Sequence, residues 1–304
     1  MHFPVARPVT KVMILTHTIG GLGNQMFQYA AGRALSLKLG QLFRLDTSSF
    51  KDYGLHQGFE LQRVFNCQVQ VATQSDIYRV LGWQSLPIVR RLLTRSGFSA
   101  LRRKEFVAEP HFHFWPGISE AHGDCYLVGY WQSEKYFQSH AQVISDDFTF
   151  ALPMNDENVE LAKQISEVQS VSLHIRRGDY INNLKNNATH GLCSIDYYRA
   201  AIQYIFNKVK RPYFFIFSDD IAWVKDNLKM EWPYQYVDHN QGASSFNDMR
   251  LMSLCQHNII ANSSFSWWGA WLNSNPGKIV IAPRRWFTGN WITSDLTPAS
   301  WAKL

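Results

Sequence analysis

The chain has 304 residues, of which 46% are hydrophobic and 18% are charged. This composition is that of a folded protein with a sizeable core, and it excludes a disordered or low-complexity chain. The length predicts roughly two domains of about 150 residues each. The longest apolar runs, such as Tyr213 to Phe217, are far shorter than the ~18 residues that a membrane-spanning helix needs.

The amino terminus and the cysteines bear on the compartment. The first residues do not combine a long apolar core with a small-residue cleavage site, so we predict no signal peptide. The four cysteines have no C-x-x-C spacing, which favours free thiols over a disulfide framework. They are Cys67, Cys125, Cys193 and Cys255. We therefore expect a cytoplasmic protein.

The net charge of +6 comes from one segment, Arg79 to Lys104, which has seven basic residues and no acidic one. Outside it, 23 basic residues stand against 24 acidic ones. Within it, Leu86 to Arg95 mixes apolar and basic residues at helical spacing, as in a helix lying on an anionic membrane surface. A packed helix with a solvated basic face fits the same pattern. No nucleic-acid-binding module accompanies the segment.

The first predicted elements resemble the opening of a Rossmann-like unit. Lys11 to Thr16 is a short β-rich run, and Gly20 to Gly23 forms a glycine-rich turn. Apolar residues at helical spacing then predict a helix over Asn24 to Leu39, which Gly40 ends. Strand, glycine loop and helix in this order favour an α/β fold.

A second series of alternating elements begins near residue 151. We predict strands over 171–175, 213–217, 257–261 and 278–282, the last closing the series, with helices over 196–208, 221–229, 244–255 and 264–272. This alternation predicts a mostly parallel sheet covered by helices on both faces. Leu152 to Asn155 is the expected linker. The predicted architecture is two Rossmann-like domains facing a cleft, residues 1–150 and 151–304.

The glycine loop, Gly20 to Gln25, could bind an anion. Glycines let backbone approach a ligand, and the helix that follows presents unpaired N–H groups. The spacing departs from G-x-G-x-x-G because Met26 stands where the third glycine would be, and the P-loop ending is absent. Anion binding and a merely tight turn both remain open for this loop.

The run His174 to Tyr180 ends a predicted buried strand and contains two adjacent arginines. Ligands of open α/β sheets bind at the carboxyl ends of strands, and unpaired arginines there are costly unless they meet an anion. Alternation places Arg176 and Arg177 on opposite faces, so we expect one to contact ligand and the other to pair with Asp179. A guanidinium suits a diphosphate because it donates in pairs. A purely intramolecular Arg–Asp pair is the alternative.

Polar residues follow two other predicted strands. Asp219 and Asp220 end one of them, and we expect Asp219 to contact ligand and Asp220 to cap the next helix. Ser263 and Ser264 precede an aromatic helix, where hydroxyls and backbone N–H groups could form a second phosphate cradle. As helix caps alone, these serines would need no ligand.

Several signatures are absent from the sequence. No aspartate lies two positions from another, so the D-x-D pair of many metal-dependent nucleotide-sugar transferases is missing. No set of His, Cys and carboxylate residues has metal-ligand spacing, and no G-x-S-x-G elbow occurs. We therefore expect no metal cofactor, with arginines and helix termini neutralising the charge of a diphosphate leaving group.

Three blocks of the sequence resemble the bacterial α-1,2-fucosyltransferases of glycosyltransferase family 11. They are GGLGNQMFQYAAGRAL at 20–35, HIRRGDY at 174–180 and SSFSWWGAWL at 263–272. The resemblance implies a GT-B fold with an acceptor-side domain followed by a donor-binding domain. It also implies metal-independent, inverting transfer from GDP-β-L-fucose to the 2-hydroxyl of a terminal β-galactoside in surface polysaccharide (O-antigen) synthesis.

The resemblance also implies roles for individual residues. Arg176 would hold the β-phosphate, and Asn24 would lie across the cleft near the diphosphate and the fucose. The other implied donor-binding residues are His174, Arg177, Asp219, Ser263, Ser264 and Phe265. The general base would be Asp179 or His190, although a well-placed hydroxyl needs little help.

Two alternative functions remain at this point. One is a transferase that uses GDP-fucose but makes another linkage. The other is a non-catalytic glycan-binding protein that uses its tryptophans, eight of which lie in the last 82 residues. The paired arginines argue against the second alternative, since a neutral sugar needs no diphosphate cradle. We expect no nucleic-acid partner, and peripheral contact of Arg79 to Lys104 with the inner face of a membrane remains open.

Overall fold

The computed structural model describes residues 12–51, 57–178 and 191–304. Its first strand, β1 (Met13–His17), is buried over most of its length and leads into helix α1 (Leu22–Leu39). The helix begins two residues before its predicted start. It ends as predicted at Gly40, whose φ of +64° is the left-handed conformation that a helix end favours.

The amino-terminal sheet has four strands in the order β2-β1-β4-β3, and every described pairing in it is parallel. The further strands are β2 (Leu42–Asp46), β3 (Phe106–Ala108) and β4 (Cys125–Val128). The helices that follow α1 are α2 (Leu61–Val64), α3 (Gln74–Leu81), α4 (Pro87–Leu93) and α5 (Ala141–Asp147). Because the strands are parallel, their carboxyl ends lie along one edge.

The carboxyl-terminal sheet has six parallel strands in the order β10-β9-β8-β5-β6-β7. They are β5 (Gln169–Ile175), β6 (Pro212–Ser218), β7 (Tyr234–Val237), β8 (His257–Ile259), β9 (Val280–Ala282) and β10 (Ala302–Lys303). The helices are α6 (Asp156–Glu167), α7 (Ile195–Phe206), α8 (Ile221–Asn227), α9 (Phe246–Leu254) and α10 (Ser264–Trp271). Every strand and helix predicted for this half is present.

One prediction for this sheet is wrong, because the strand at 278–282 is not the last. The two residues of β10 pair with β9 and extend the sheet at that edge. At the other edge, β7 was not predicted at all. Both strands are short and partly exposed, so neither carries an apolar pattern long enough to reveal it.

One apolar cluster contains residues from both sheets. Phe27 of α1 packs against two tryptophans of α10, with ring centroids 4.5 Å from Trp267 and 4.9 Å from Trp268. The indole Nε1 of Trp268 donates to the carbonyl oxygen of Gly23 over 3.0 Å. A Cβ on Gly23 would lie 2.5 Å from the carbonyl carbon of Ser264, so only glycine permits this approach. The amino-terminal ends of α1 and α10 are therefore in direct contact.

The cysteines and the helices bear on disulfide bonding and on membrane crossing. The four cysteines are free thiols, as predicted. Within the described ranges, no helix combines the length and the apolar character that crossing a membrane would require.

Candidate active site

Two arginines and two aspartates meet at the carboxyl edge of the carboxyl-terminal sheet. Arg176 and Arg177 follow β5, while Asp219 and Asp220 follow the neighbouring strand β6, whose last residue is paired with Ile175. Arg176 Nε lies 3.2 Å from Asp219 Oδ2, and Arg177 Nε lies 3.6 Å from Asp220 Oδ2. Each arginine thus has its own carboxylate, which lowers the cost of holding two cations side by side.

Asp219 also fixes the backbone where β5 ends. Its Oδ1 accepts a hydrogen bond from the backbone N–H of Arg177 over 2.8 Å. Both carboxylate oxygens of Asp219 are thus engaged by the protein, and its predicted contact with ligand stays a prediction. The predicted cap is confirmed, since Asp220 Oδ1 accepts from the backbone N–H of Trp223 in α8 over 3.2 Å.

Arg177 is held on a second side by an aromatic ring. Its guanidinium carbon lies 3.6 Å from the ring centroid of Trp223, a stacked cation–π arrangement. Trp223 was not among the predicted site residues, since its only local signal is its place three residues after Asp220 in the first turn of α8. The expected pairing of one of the two arginines with Asp179 lies outside the described residues. His190, the other candidate base, lies outside them too.

His174 lies within β5 and is buried, with 4% of its surface exposed. Burial, together with the positive charge of Arg176, lowers the pKa of His174 to about 3, so its imidazole is neutral at ordinary pH. Among the described residues, Nδ1 has no hydrogen-bond partner. The ring centroid lies 6.1 Å from that of Phe265. His174 therefore packs between the arginine-bearing strand and the start of α10.

The start of α10 forms the other flank of the arginines, because β8, which precedes it, pairs with β5 on the side opposite β6. Ser263 is the N-cap residue, and its hydroxyl accepts from the backbone N–H of Phe265 over 3.3 Å. Ser264 is the first residue of the helix, and its backbone lies against Gly23 of the glycine loop. A helix start at this place supplies the partial positive charge that an anion prefers.

Buried amide side chains fix the glycine loop. Gln25 Nε2 donates to the carbonyl oxygens of Gly20 and Gly58 over 2.9 Å and 2.8 Å. Asn24 Oδ1 accepts from Gln132 Nε2 over 2.8 Å, which ties the loop to the segment after β4. Gln132 was not among the predicted site residues, since it belongs to no motif and lies 108 residues from its partner. The loop is therefore shaped by the protein itself.

An aromatic patch is formed by residues that follow strands of both sheets, namely β3, β4 and β9. Phe112 packs against Phe287 and Trp291, with ring centroids 4.7 Å and 5.4 Å apart, and lies 6.0 Å from Tyr130. Tyr130 is 40% exposed and Trp291 is 52% exposed. Exposed indole and phenol faces are surfaces on which the apolar face of a sugar can stack.

A metal site would need several ligating side chains close together. Within the part of the chain that the structure describes, no group of three or more His, Cys, Asp or Glu side chains is arranged to hold an ion.

Known proteins are similar to this chain in sequence and in fold. The model of glycosyl transferase family 11 matches residues 104–302. An α-1,2-colitosyltransferase of Escherichia coli is 36% identical over 295 residues, which cover 96% of this chain and 99% of that protein. The O-antigen biosynthesis glycosyltransferase WbnK of Escherichia coli is 37% identical over 301 residues, covering 94% and 98%.

More distant matches extend this picture. Galactoside alpha-(1,2)-fucosyltransferase 2 of Bos taurus is 23% identical over 97% of this chain and 83% of its own length. The crystal structure of the fucosyltransferase NodZ from Bradyrhizobium covers 86% of this chain and 92% of its own, with a TM-score of 0.52 and 13% identity. Two parallel sheets, joined through an apolar cluster that both contribute to, give the chain the GT-B fold. The chain belongs to glycosyltransferase family 11.

Proposed function

We propose that the protein transfers L-fucose from GDP-β-L-fucose to the 2-hydroxyl of a terminal β-galactoside, with inversion and without a metal ion. The acceptor would belong to a surface polysaccharide such as an O-antigen. The observation that carries the proposal is the placement of Arg176. It is anchored by Asp219 on one side and flanked by the start of α10 on the other.

In this mechanism the galactose 2-hydroxyl oxygen attacks the anomeric carbon while the bond from that carbon to the β-phosphate oxygen breaks. Attack from the face opposite the phosphate converts the β-linked donor into an α-linked product. Negative charge grows on the departing GDP, and Arg176 together with the start of α10 at Ser263 and Ser264 would stabilise it. The hydroxyl proton would pass to Asp179 or His190.

The acceptor galactoside would lie against the aromatic patch of Phe112, Tyr130, Phe287 and Trp291. The apolar face of galactose stacks on such rings, which supports a neutral sugar as the acceptor. Tyr130 follows β4 and Phe287 follows β9, so the patch draws on both domains. Asn24, held by Gln132, would then lie between this patch and the diphosphate.

Transfer of colitose is a second candidate, favoured by the 36% identity with an α-1,2-colitosyltransferase over nearly the whole chain. Colitose is L-fucose without its 3-hydroxyl group, so the same diphosphate site would serve either donor. The two candidates differ only in how the site treats that hydroxyl. A site that hydrogen-bonds a hydroxyl rejects the analogue that lacks it far more strongly than an apolar pocket rejects an added hydroxyl.

The test is an incubation with GDP-fucose or GDP-colitose, in EDTA, with lactose and with β-1,3- and β-1,4-galactosyl-N-acetylhexosamine. We expect turnover of GDP-fucose and a new α-1,2 linkage by NMR. Arg176→Ala should abolish that turnover, while Arg199→Ala, at a 61% exposed side chain, should not change it. A product with GDP-colitose alone would select the second candidate. No product with any galactoside, or activity lost to EDTA, would contradict the proposal.

A further inference from the structure

The basic segment seen in the sequence carries an unusual number of exposed apolar side chains. We call the outer surface of residues 78–104 the docking face. Although this is less than a tenth of the chain, it holds seven of the 16 large apolar side chains that the described residues expose. Those seven are Tyr78, Trp83, Leu86, Ile88, Leu92, Phe98 and Leu101, with exposures from 37% to 77%.

Helix α4 shows how the docking face is built. Its inward side carries Arg90 and Leu93, which are buried. Its outward side carries Ile88, which is 77% exposed, together with the exposed Arg91 and Leu92. Residues 91 and 92 lie three and four positions after residue 88, so the three form one stripe along the helix. The solvent-facing side of an ordinary surface helix is polar. A stripe that is both apolar and cationic is typical of a helix that lies in a membrane interface.

The docking face is held firmly by the domain beneath it. Arg90 pairs with Asp46 at the end of β2, and its Nη1 also donates to the hydroxyl of Tyr126 over 2.7 Å. Gln84 Nε2 donates to the carbonyl oxygen of Leu101 over 2.8 Å, and Arg102 Nε donates to that of Leu93 over 2.8 Å. The exposed apolar side chains thus project from a fixed surface and not from a frayed end.

The charge of the docking face is only partly compensated. Arg79 pairs with Asp124 and Arg103 pairs with Glu105. Arg91 and Arg95 form no ion pair with any side chain in the described ranges. A second copy of the chain would bring the same positive charges together, and a nucleic acid would leave the aliphatic side chains exposed to water. Neither occupant therefore fits both features.

We propose that the docking face binds the surface of an anionic lipid bilayer. Ile88, Leu86 and Leu101 enter the boundary between head groups and acyl chains. Trp83 and Tyr78 lie at head-group depth, as these residues do in membrane proteins. Arg91 and Arg95 contact the lipid phosphates.

Docking on a bilayer does not depend on which sugar the enzyme transfers. Because Arg90 is paired with Asp46 at the carboxyl end of β2, docking holds that edge of the amino-terminal domain close to the membrane. Thr18, just before the glycine loop, donates its backbone N–H to the carbonyl oxygen of Asp46 over 3.0 Å. A lipid-linked acceptor at the membrane surface would meet this edge first.

The experiment is flotation of the full chain with vesicles of phosphatidylcholine alone or mixed with phosphatidylglycerol. We expect binding to the anionic vesicles only. Arg91→Gln with Arg95→Gln should lower the partition coefficient about fivefold per arginine, or about 25-fold together. Ile88→Ser with Leu92→Ser should abolish flotation at the same lipid concentration. Activity on a soluble galactoside should be unchanged in both variants.

The matched control is Val159→Ser with Lys163→Gln on α6, an exposed apolar and basic pair one helical turn apart and far from the docking face in sequence. It should float like the unaltered chain. Equal flotation of all variants, or no binding to anionic vesicles, would overturn the proposal. So would a monomer–dimer shift or DNA binding that depends on Arg91 and Ile88, since either result would give this face another occupant.

Discussion

The indole Nε1 of Trp268 donates to the carbonyl oxygen of Gly23 over 3.0 Å, although 245 residues separate the two in sequence. This hydrogen bond joins the first turn of α1 to α10 and so brings together the first and the last of the three sequence blocks. It also places the glycine loop of one domain beside the serine-capped helix of the other. The candidate diphosphate site depends on this junction.

Replacing Gly23 should disturb the junction directly. In Gly23→Ala the new methyl group would lie 2.5 Å from the carbonyl carbon of Ser264 and 2.7 Å from the backbone nitrogen of Phe265, so α1 and α10 must separate. We expect a loss of about 1–3 kcal/mol in the free energy of unfolding, measured in urea, and weaker GDP binding by calorimetry. Gly97→Ala, where no atom lies within 4 Å, should change stability by less than about 0.5 kcal/mol. Equal unfolding midpoints for both variants would contradict the steric argument.

Removing the indole donor should weaken the same junction from the other side. Trp268→Phe leaves the Gly23 carbonyl oxygen without this buried donor and opens a small cavity. The expected cost is about 2–4 kcal/mol in the free energy of unfolding. Trp291→Phe, at a side chain that is 52% exposed, should cost far less. A similar loss for both variants would show that the junction contributes little.

The charge of Asp219 should matter for donor binding more than for folding. Asp219→Asn keeps an oxygen for the backbone N–H of Arg177 but removes the negative charge that holds Arg176. We expect the KM for the nucleotide-sugar donor to rise about tenfold, because one charge-assisted hydrogen bond contributes about 1.5 kcal/mol or more. Asp196→Asn, at a side chain that is 90% exposed, is the control. An unchanged KM in Asp219→Asn would show that Asp219 does not position Arg176.

The sequence predicted features that local patterns determine. The end of α1 at Gly40, the cap by Asp220 and the strand before the arginines all follow from residues close together in the chain. The strand after β6 and the last strand, β10, were missed because they are short and lie at sheet edges. The contact of Gln132 with Asn24 depends on how segments far apart in the chain pack together. The stacking of Trp223 on Arg177 depends on how α8 packs beside the end of β5. A single sequence without the fold does not determine them.

The stability of the protein should depend on pH through Asp248. Burial raises the pKa of this carboxyl to about 7, with Asp238 adding to the rise and a hydrogen bond from Asn240 opposing it. The folded state then holds a proton that the unfolded state has released, so the stabilisation from this proton is full below about pH 4. It is lost as the pH rises through about 7.

Asp248→Asn should remove that dependence. The amide oxygen can still accept from Asn240, and no charge needs burying at high pH. We expect the variant to gain stability over the unaltered chain between pH 5 and pH 8, by up to roughly 4 kcal/mol at pH 8. Asp196→Asn should show no such trend in parallel urea titrations. A stability difference that stays constant with pH would contradict the assignment.

The packing of Phe27 against Trp267 and Trp268 has a consequence for how the molecule comes apart. The largest apolar cluster contains Ile14 and Phe27 from the first domain and Trp267, Ala282 and Trp301 from the second. Separating the halves near residue 150 would expose these aromatic faces to water. Heating should therefore give a single calorimetric transition, and either half expressed alone should aggregate. The two halves have separate sheets, but we expect them to unfold together in one cooperative transition.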